Sequence, residues 1–331
     1  MILRSSSLLR TLAAYAALLC LQLASAAPLK VAYSDWPGWT AFEIAVQKNW
    51  FKDAGVSVEF LWFEYMPSME AFTAGKVDAV MVTNGDALVT AAGGAKNTVI
   101  LLTDYSNGND MIVATPGIAS IKDLKGKKIG LEFTLVEHLM LLHALKKQGL
   151  VESDVELVNT PTNQTPQVLA SGQVSAIAAW YPNSGQALKS VAGSKAIYTS
   201  ADAPGLIYDC VVVSPQSLSQ SRADWKKFVS VWDRVVAYLA DPKTREDGIK
   251  IMAARAGVDA KEYSAAMSGT RLVTLAEGLA VMKSTGQGFD SLSGSSATAD
   301  AFNVKNSVYK SAQDIPASFD ASLVSEVVEG K

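Results

Sequence analysis

Between Arg10 and Arg222 the chain contains no arginine. A site for a sulfonate, a nitrate or another small oxyanion would draw on arginine and on free helix N-terminal amides, so this gap weighs against an anion pocket over most of the sequence. Cysteine is almost as scarce, with only Cys20 and Cys210. Cys20 lies in the apolar opening, which leaves Cys210 without an intrachain disulfide partner in any compartment. Within IYDCVVVSP it reads as a small buried hydrophobe on a strand. The two histidines, His138 and His143, fall on an expected helix and are turned about 140° from each other at 3.6 residues per turn, so they cannot share a metal as an i, i+4 pair would. Both read as ordinary helix residues, one of them part-buried. There is no phosphate loop, no G-x-S-x-G elbow and no cysteine pair. No catalytic set, metal site or cofactor motif is therefore assigned, and binding without turnover is the expected chemistry.

The opening residues contain two arginines and no acid, then the run TLAAYAALLCLQLASA ending in Ala24-Ser25-Ala26. This pattern reads as a secretory signal peptide over 1–26 with a small-x-small cleavage site. A lipoprotein reading of Cys20 is weaker, because Leu19 stands where a small residue is expected. No later stretch is long and apolar enough to span a bilayer. Without the leader, 27 basic residues face 32 acidic ones, and this net charge of −5 excludes an electrostatic nucleic-acid surface. An exported soluble protein, periplasmic and monomeric, is expected.

The 305 residues that follow suffice for two cores. Short β-rich runs alternate with amphipathic ones: LKVAY and AFEIAVQKNWF, VSVEFLWF and SMEAFTAG, DAVMV and GDALVTAAGG, then TVILLTDY. A second set follows in KKIGLEF, VEHLMLLHALKKQG, VELVN, PQVLASG, AIAAWY, GQALKSV and KAIYTS. Such alternation predicts an α/β fold with two lobes, each a mostly parallel sheet flanked by helices. LIYDCVVVSP, residues 206 to 215, is expected to return the chain to the first lobe, ahead of a wholly helical tail from about Asp224. The division is signal peptide 1–26, lobe I 27–112, lobe II 113–204 and lobe I again 205–331. Crossings near Gly108 to Pro116 and near Pro204 to Tyr208 would form a two-strand hinge. GFDSLSGSSATAD, residues 288 to 300, reads as a flexible surface loop.

The phrases LKVAYSDWPGW, FTAGKVDAVMVTNGDALV, IKDLKGKKIGLEFTLVEHLMLLHAL and ASGQVSAIAAWYP, taken in this order, resemble the substrate-binding proteins of nitrate, taurine and aliphatic-sulfonate importers. The small-Gly-x-x-Asp-Ala pattern at Ala74, Gly75, Asp78 and Ala79 recurs in that family where a helix gives way to the third strand. The resemblance covers nearly the whole chain after the leader. It implies a type II periplasmic binding protein that closes like a Venus flytrap on a small solute and delivers it to an inner-membrane ABC permease and its ATPase. The thiamine-pyrimidine synthases share the fold, but the cysteine cluster and histidine chemistry of that branch are missing here.

In such a fold the ligand meets the loops at the strand ends. Those loops offer Asp35, Trp36 and Trp39 after the first strand, Glu64 and Tyr65 after the second, and Thr83, Asn84 and Asp86 after the third. The second lobe adds Glu132, Phe133, Thr134 and Glu137, then Trp180 with Tyr181, and finally Tyr208 with Asp209. Each has a plainer alternative. Asp86 serves equally as a helix cap, Glu137 as a first-turn dipole partner and Trp180 as core. Trp50, Trp62, Trp225 and Trp232 are assigned to packing. Collectively these loops are acidic and aromatic, which suits a flat cation held by charge-assisted hydrogen bonds and ring faces. YSDWPGW and TNGDALV are similar to a sub-branch associated with urea-carboxylase and guanidine breakdown, which implies guanidine as the solute. Urea, an aminopyrimidine thiamine precursor, or a sulfonate or nitrate remain the alternatives.

Overall fold

The structure, a computed structural model, describes residues 27–330. The leader expected over 1–26 lies outside the described residues. None of the described helices is long and apolar enough to cross a membrane.

Among the described residues, eleven strands form two mixed sheets. They are β1 (Leu29–Tyr33), β2 (Val58–Trp62), β3 (Ala79–Thr83), β4 (Thr98–Ser106), β5 (Asp110–Ala114), β6 (Lys128–Leu131), β7 (Glu156–Asn159), β8 (Ala176–Trp180), β9 (Lys195–Thr199), β10 (Tyr208–Val213) and β11 (Thr270–Leu272). The first sheet has the order β11-β4-β10-β3-β1-β2 and the second β7-β6-β8-β5-β9. In the first, β10 and β11 run against the other strands; in the second, only β5 does. The two reversed strands β5 and β10 are where the chain has just changed sheet. β3, β8 and β10 are buried along their whole length, as apolar runs covered on both faces must be.

The local punctuation follows from the residues. Gly75, at φ +65°, takes the left-handed turn after helix Tyr65–Thr73 that a side chain would oppose. Asp78 then ties the sheet together: its carboxylate accepts from Lys30 N at 2.8 Å, and its carbonyl accepts from Ser214 N at 3.0 Å. Cys210 is fully buried in β10.

The chain leaves the first sheet after Ser106 and enters the second at Asp110, then returns between Thr199 and Tyr208. The first crossing therefore lies at residues 107–109, ahead of the boundary expected at 112, because β5 belongs entirely to the second sheet. The two crossings touch: Ser106 N donates to Ile207 O at 3.1 Å, and the Ser106 and Ser200 hydroxyls are 2.6 Å apart.

The C-terminal helices cover the first sheet. Phe42 packs its ring 5.2 Å from Phe228 and 4.8 Å from Trp232, joining the tail to the helix behind β1. Two expectations fail here. The tail is not wholly helical, since β11 adds an edge strand to β4. Residues 288 to 300 are no surface loop, because helix Leu292–Lys305 occupies most of that stretch with Ser295, Ser296 and Ala299 buried. Its small side chains allow close approach to helix Asn84–Ala92, where Ala299 Cβ lies about as near Gly85 as any Cβ there could tolerate. Asn84 fastens the contact by donating to both serine hydroxyls.

Candidate functional site

The carboxyl ends of the forward strands in both sheets converge on one cavity. It is lined by Trp36, Trp39 and Tyr65 from the loops after β1 and β2, Thr83 at the end of β3, Asp209 at the start of β10, Asp110 at the start of β5, Val136, Trp180 at the end of β8, and Ile207. Register explains the gathering: Asp209 pairs with Thr83 on one side and Asp104 on the other, and Asp110 pairs with Trp180. Next to this pair the register between β10 and β4 shifts, with Thr103 the extra residue on β4, while Asp209 keeps its pairing on both sides. The cavity is small, about 10 Å³ as traced by the centre of a water molecule, close to the room one water needs.

Its walls are aromatic. Trp39 stacks on Tyr65 with ring centres 5.6 Å apart and planes 16° from parallel, and Trp180 meets Tyr65 edge-on at 5.0 Å. Trp36 N–H donates to Asp104 Oδ1 at 2.9 Å. The proline and glycine of the YSDWPGW motif make this possible. Pro37 starts a short helix that carries Trp39 inward, and Gly38 lets the backbone pass so close to Asp104 that a Cβ would stand 1.7 Å from Oδ2.

Behind and between the rings lie carboxyl groups without cations. Asp104 accepts from Trp36 and from Thr103 Oγ1 at 2.8 Å, and Asp209 lies against it across the sheet. Asp110 lies against Glu137, in the first turn of helix Val136–Lys147. Asp86 accepts from Tyr65 OH at 2.6 Å. Four carboxyl oxygens here are buried with no hydrogen-bond partner: Asp110 Oδ2, both of Glu137 and Asp209 Oδ2. Trp39 Nε1 is an unpartnered donor. No lysine, arginine or histidine lines the cavity. Burial pushes the Asp110 carboxyl up to about 6 and that of Asp86 to about 7, and it drives Glu137 and Asp209 well above the usual carboxylate range, with neighbouring acids adding to the shift. Among the described residues, no group of His, Cys, Asp or Glu is arranged to hold a metal ion.

The residues expected from sequence fall into distinct places. Trp36, Trp39, Tyr65, Trp180 and Asp209 line the cavity, and Asp86 and Glu137 stand behind its wall. Asp35, Glu64 and Tyr181 line a larger outer groove that also holds Asn183, Lys189 and Glu262. Asp35 accepts from Trp180 Nε1 at 3.0 Å and from Asn183 Nδ2 at 3.2 Å, so it joins the two sheets at the cavity mouth. Burial holds its carboxyl near 6 even with these donors. Glu132 accepts from Thr162 and does not reach the cavity. Asn84 is consumed by Ser295, Ser296 and the Tyr208 backbone. Thr134, at φ +66°, donates its N–H to His138 Nδ1, and its hydroxyl goes to Phe133 O. Trp62, assigned to packing, is half-buried: its ring meets the buried Tyr33 ring edge-on at 5.3 Å, and at the outer groove the Arg255 guanidinium sits 4.3 Å above it. Sequence reasoning missed Asp104 and Asp110. The available signal was a single acid inside the apolar strand TVILLTDYS and another directly after the NGN turn.

A family model described as NMT1/THI5 like matches residues 36–245. A Brucella abortus protein named only as a binding protein is 30% identical over 182 residues, 54% of this chain and 56% of its own length. The taurine-binding periplasmic protein of Escherichia coli is 28% identical over 48% of this chain and 46% of its own. The chain thus spans about half the length of the curated relatives it matches. In fold, it superposes on the alkanesulfonate-binding protein of Xanthomonas axonopodis pv. citri bound to MOPS with a TM-score of 0.74, covering 90% of this chain and 99% of that one at 19% identity. Its architecture is that of a periplasmic binding protein.

Proposed function

Starting from the fact that the chain belongs to the NMT1/THI5-like family, we propose that it is the extracytoplasmic solute-binding component of an ABC importer, closing on a small planar nitrogen cation. Guanidinium is the first candidate; being larger than the one water the cavity has room for, it would enter only with the two lobes apart and the aromatic walls moved outward. The two lobes would close about the crossings at residues 107–109 and 200–207, with a periplasmic location and a membrane permease and its ATPase as partners. Support for the transport role comes from the fold and from relatives whose names are those of binding proteins.

The observation that carries the ligand class is a wall that presents the carboxyl groups of Asp110 and Asp209 beside an aromatic box, with no basic side chain among its residues. Unpaired buried acceptors are costly, and a ligand dense in N–H donors removes that cost while its faces lie on the rings. The same wall opposes taurine, alkanesulfonates and nitrate, which would meet acceptors where they need donors. A neutral planar amide such as urea is the second reading. It is favoured by the free Trp39 N–H, which would find an acceptor in the urea carbonyl.

The test is a thermal-shift screen of ligand-stripped protein against guanidinium, methylguanidine, urea, an aminopyrimidine, taurine and nitrate. Stabilisation by guanidinium at the lowest concentration is expected. Stabilisation by taurine or nitrate alone would overturn the cation assignment.

A further inference from the structure

The cavity wall carries one carboxyl from each of two pairs. Asp209 faces the cavity with Asp104 behind it, and Asp110 faces it with Glu137 behind. Two carboxylates in contact are both acceptors, so each pair is satisfied only when it holds one proton. The donors decide where that proton sits. Asp104 already accepts from the Trp36 indole and the Thr103 hydroxyl, which favour its ionised form. The proton of that pair therefore belongs to Asp209, whose Oδ2 has no donor. In the other pair Glu137 is fully buried and neither of its oxygens has a donor. Asp110 has the Ser106 hydroxyl and its own backbone N–H beside it. There the proton belongs to Glu137, whose O–H keeps it and donates a hydrogen bond to the Asp110 carboxylate.

We propose that the two pairs set the charge of the cavity wall: Asp209 and Glu137 are neutral acids, Asp110 is the one ionised carboxyl that touches the ligand, and Asp110 thereby selects a monocation over neutral isosteres. Glu137 is a positioning residue that acts through Asp110. The inference rests on the cation reading above. The titratable groups facing these four are Asp86 and Glu132 toward Glu137, Asp86 toward Asp209, Tyr263 toward Asp104, and the pairs toward each other; Cys210 neighbours Asp209. All are acids, and none supplies a compensating positive charge. Asp86 is held by Tyr65 OH away from the cavity. With burial holding Asp110 near 6, cation affinity falls as pH drops through that value.

The experiment is titration calorimetry of the purified protein with guanidinium chloride and with urea from pH 5 to 8. It compares wild type with Asp110→Asn, Asp209→Asn, Glu137→Leu and Glu137→Gln, each checked for a cooperative melt. Asp110→Asn is expected to lose at least thirtyfold for guanidinium and at most a few-fold for urea. Asp209→Asn, whose amide N–H replaces the acid proton toward Asp104, loses less than tenfold. Glu137→Leu removes the donor to Asp110, so it lowers affinity about tenfold at pH 7 and moves the pH-dependent fall upward. Glu137→Gln, which keeps a donor in that place, recovers most of the loss and the wild-type pH profile. Equal losses at Asp110 and Asp209, or a Glu137→Gln profile matching Glu137→Leu, would overturn the inference. Should Glu137→Leu fail to melt cooperatively, the wild-type profile decides, because affinity independent of pH across 5 to 8 also overturns it. Wild type that takes up no guanidinium would instead overturn the cation reading itself.

Discussion

Across the mouth of the cavity, the Trp180 indole donates to the Asp35 carboxylate at 3.0 Å, joining the end of β8 in one sheet to the loop after β1 in the other. Asn183 adds a second bond to the same carboxylate at 3.2 Å, and Lys189 pairs with Glu262 farther out along the groove. Trp180 also forms part of the cavity wall, so the latch and the site share a side chain. On the proposed function, closure and binding would be coupled through it.

Asp35→Ala should therefore weaken ligand binding by about tenfold, mainly through faster release, while leaving the fold intact. The bonds from Trp180 and Asn183 are both lost, and since a single charge-assisted hydrogen bond is worth roughly 1.5 to 3 kcal/mol, tenfold is the lower end of the effect. Stopped-flow displacement monitored by tryptophan fluorescence measures the release rate, and small-angle scattering should show the ligand-bound variant less compact than wild type. A variant with wild-type release would mean that Asp35 does not hold the closed form.

On the cavity wall, the Trp39 indole N–H is a buried side-chain donor without a partner. Trp39→Phe keeps a ring for stacking on Tyr65 and deletes that donor. Guanidinium, with no acceptor for the indole, should bind the variant within a few-fold of wild type, whereas urea should lose about tenfold, the worth of roughly one hydrogen bond. A larger loss for guanidinium than for urea would reverse the assignment of this group.

Gly38 is set by space, not by backbone freedom. A methyl at Gly38 would overlap Asp104 Oδ2 at 1.7 Å, and Asp104 cannot retreat without breaking its bonds to Trp36 and Thr103. Gly38→Ala should cost about 1 to 3 kcal/mol by overpacking and should abolish binding, because the cavity wall moves with Asp104. Urea denaturation and calorimetry together test this. Normal binding by the variant would show that Asp104 is not tied to the ligand wall.

Much of this site was legible in the sequence because strand ends are legible. Trp36, Trp39, Tyr65, Trp180 and Asp209 follow or open apolar runs, and all of them reach the cavity. Direction was not legible. Asn84 and Asp86 occupy one helical turn, yet Asn84 turns to Ser295 and Asp86 to Tyr65. Asp104 sits within β4, where a lone acid reads as a solvent-facing position, and only the register with Asp209 shows it to be fully buried. Helix Leu292–Lys305 was hidden for another reason: it packs by small side chains at close approach, so its serines, glycine and alanines carry no apolar period. Cleft and core were also less separable than expected, since Trp36 and Trp39 are as deeply buried as many packing residues. Alanine at Trp36, Trp39, Trp225 or Trp232 should therefore destabilise the fold in every case, by about 3 to 5 kcal/mol. Only the tail variants should bind normally once folded.

Ligand-free stability should fall as pH rises through neutrality, the reverse of ordinary acid denaturation. Asp35 and Asp110 are pushed up to about 6 and Asp86 to about 7, from an ordinary value of 3.8, and burial is the main cause in each. A carboxyl with a raised folded-state pKa binds its proton more tightly folded than unfolded, so its contribution is full below about pH 4 and is lost as pH climbs through the folded value. His138 and His143, both lowered chiefly by burial, act in the opposite direction, but their effect fades over about one pH unit above 6.5 while the more numerous buried acids, Glu137 and Asp209 among them, go on changing. Carboxylates lowered by surface partners, such as Glu277 and Glu326, change only below their ordinary range. From pH 6.5 to 8 the buried acids are thus left in control. The melting temperature of ligand-stripped protein should drop by about 3 °C or more across that interval. A cation settling among the ionised carboxyls relieves the penalty, so saturating guanidinium should raise the melting temperature more at pH 8 than at pH 6.5. A melting temperature that holds level or climbs from pH 6.5 to 8 would mean that these carboxyls ionise freely in the folded protein, and with that the physical case for a cation site would fail.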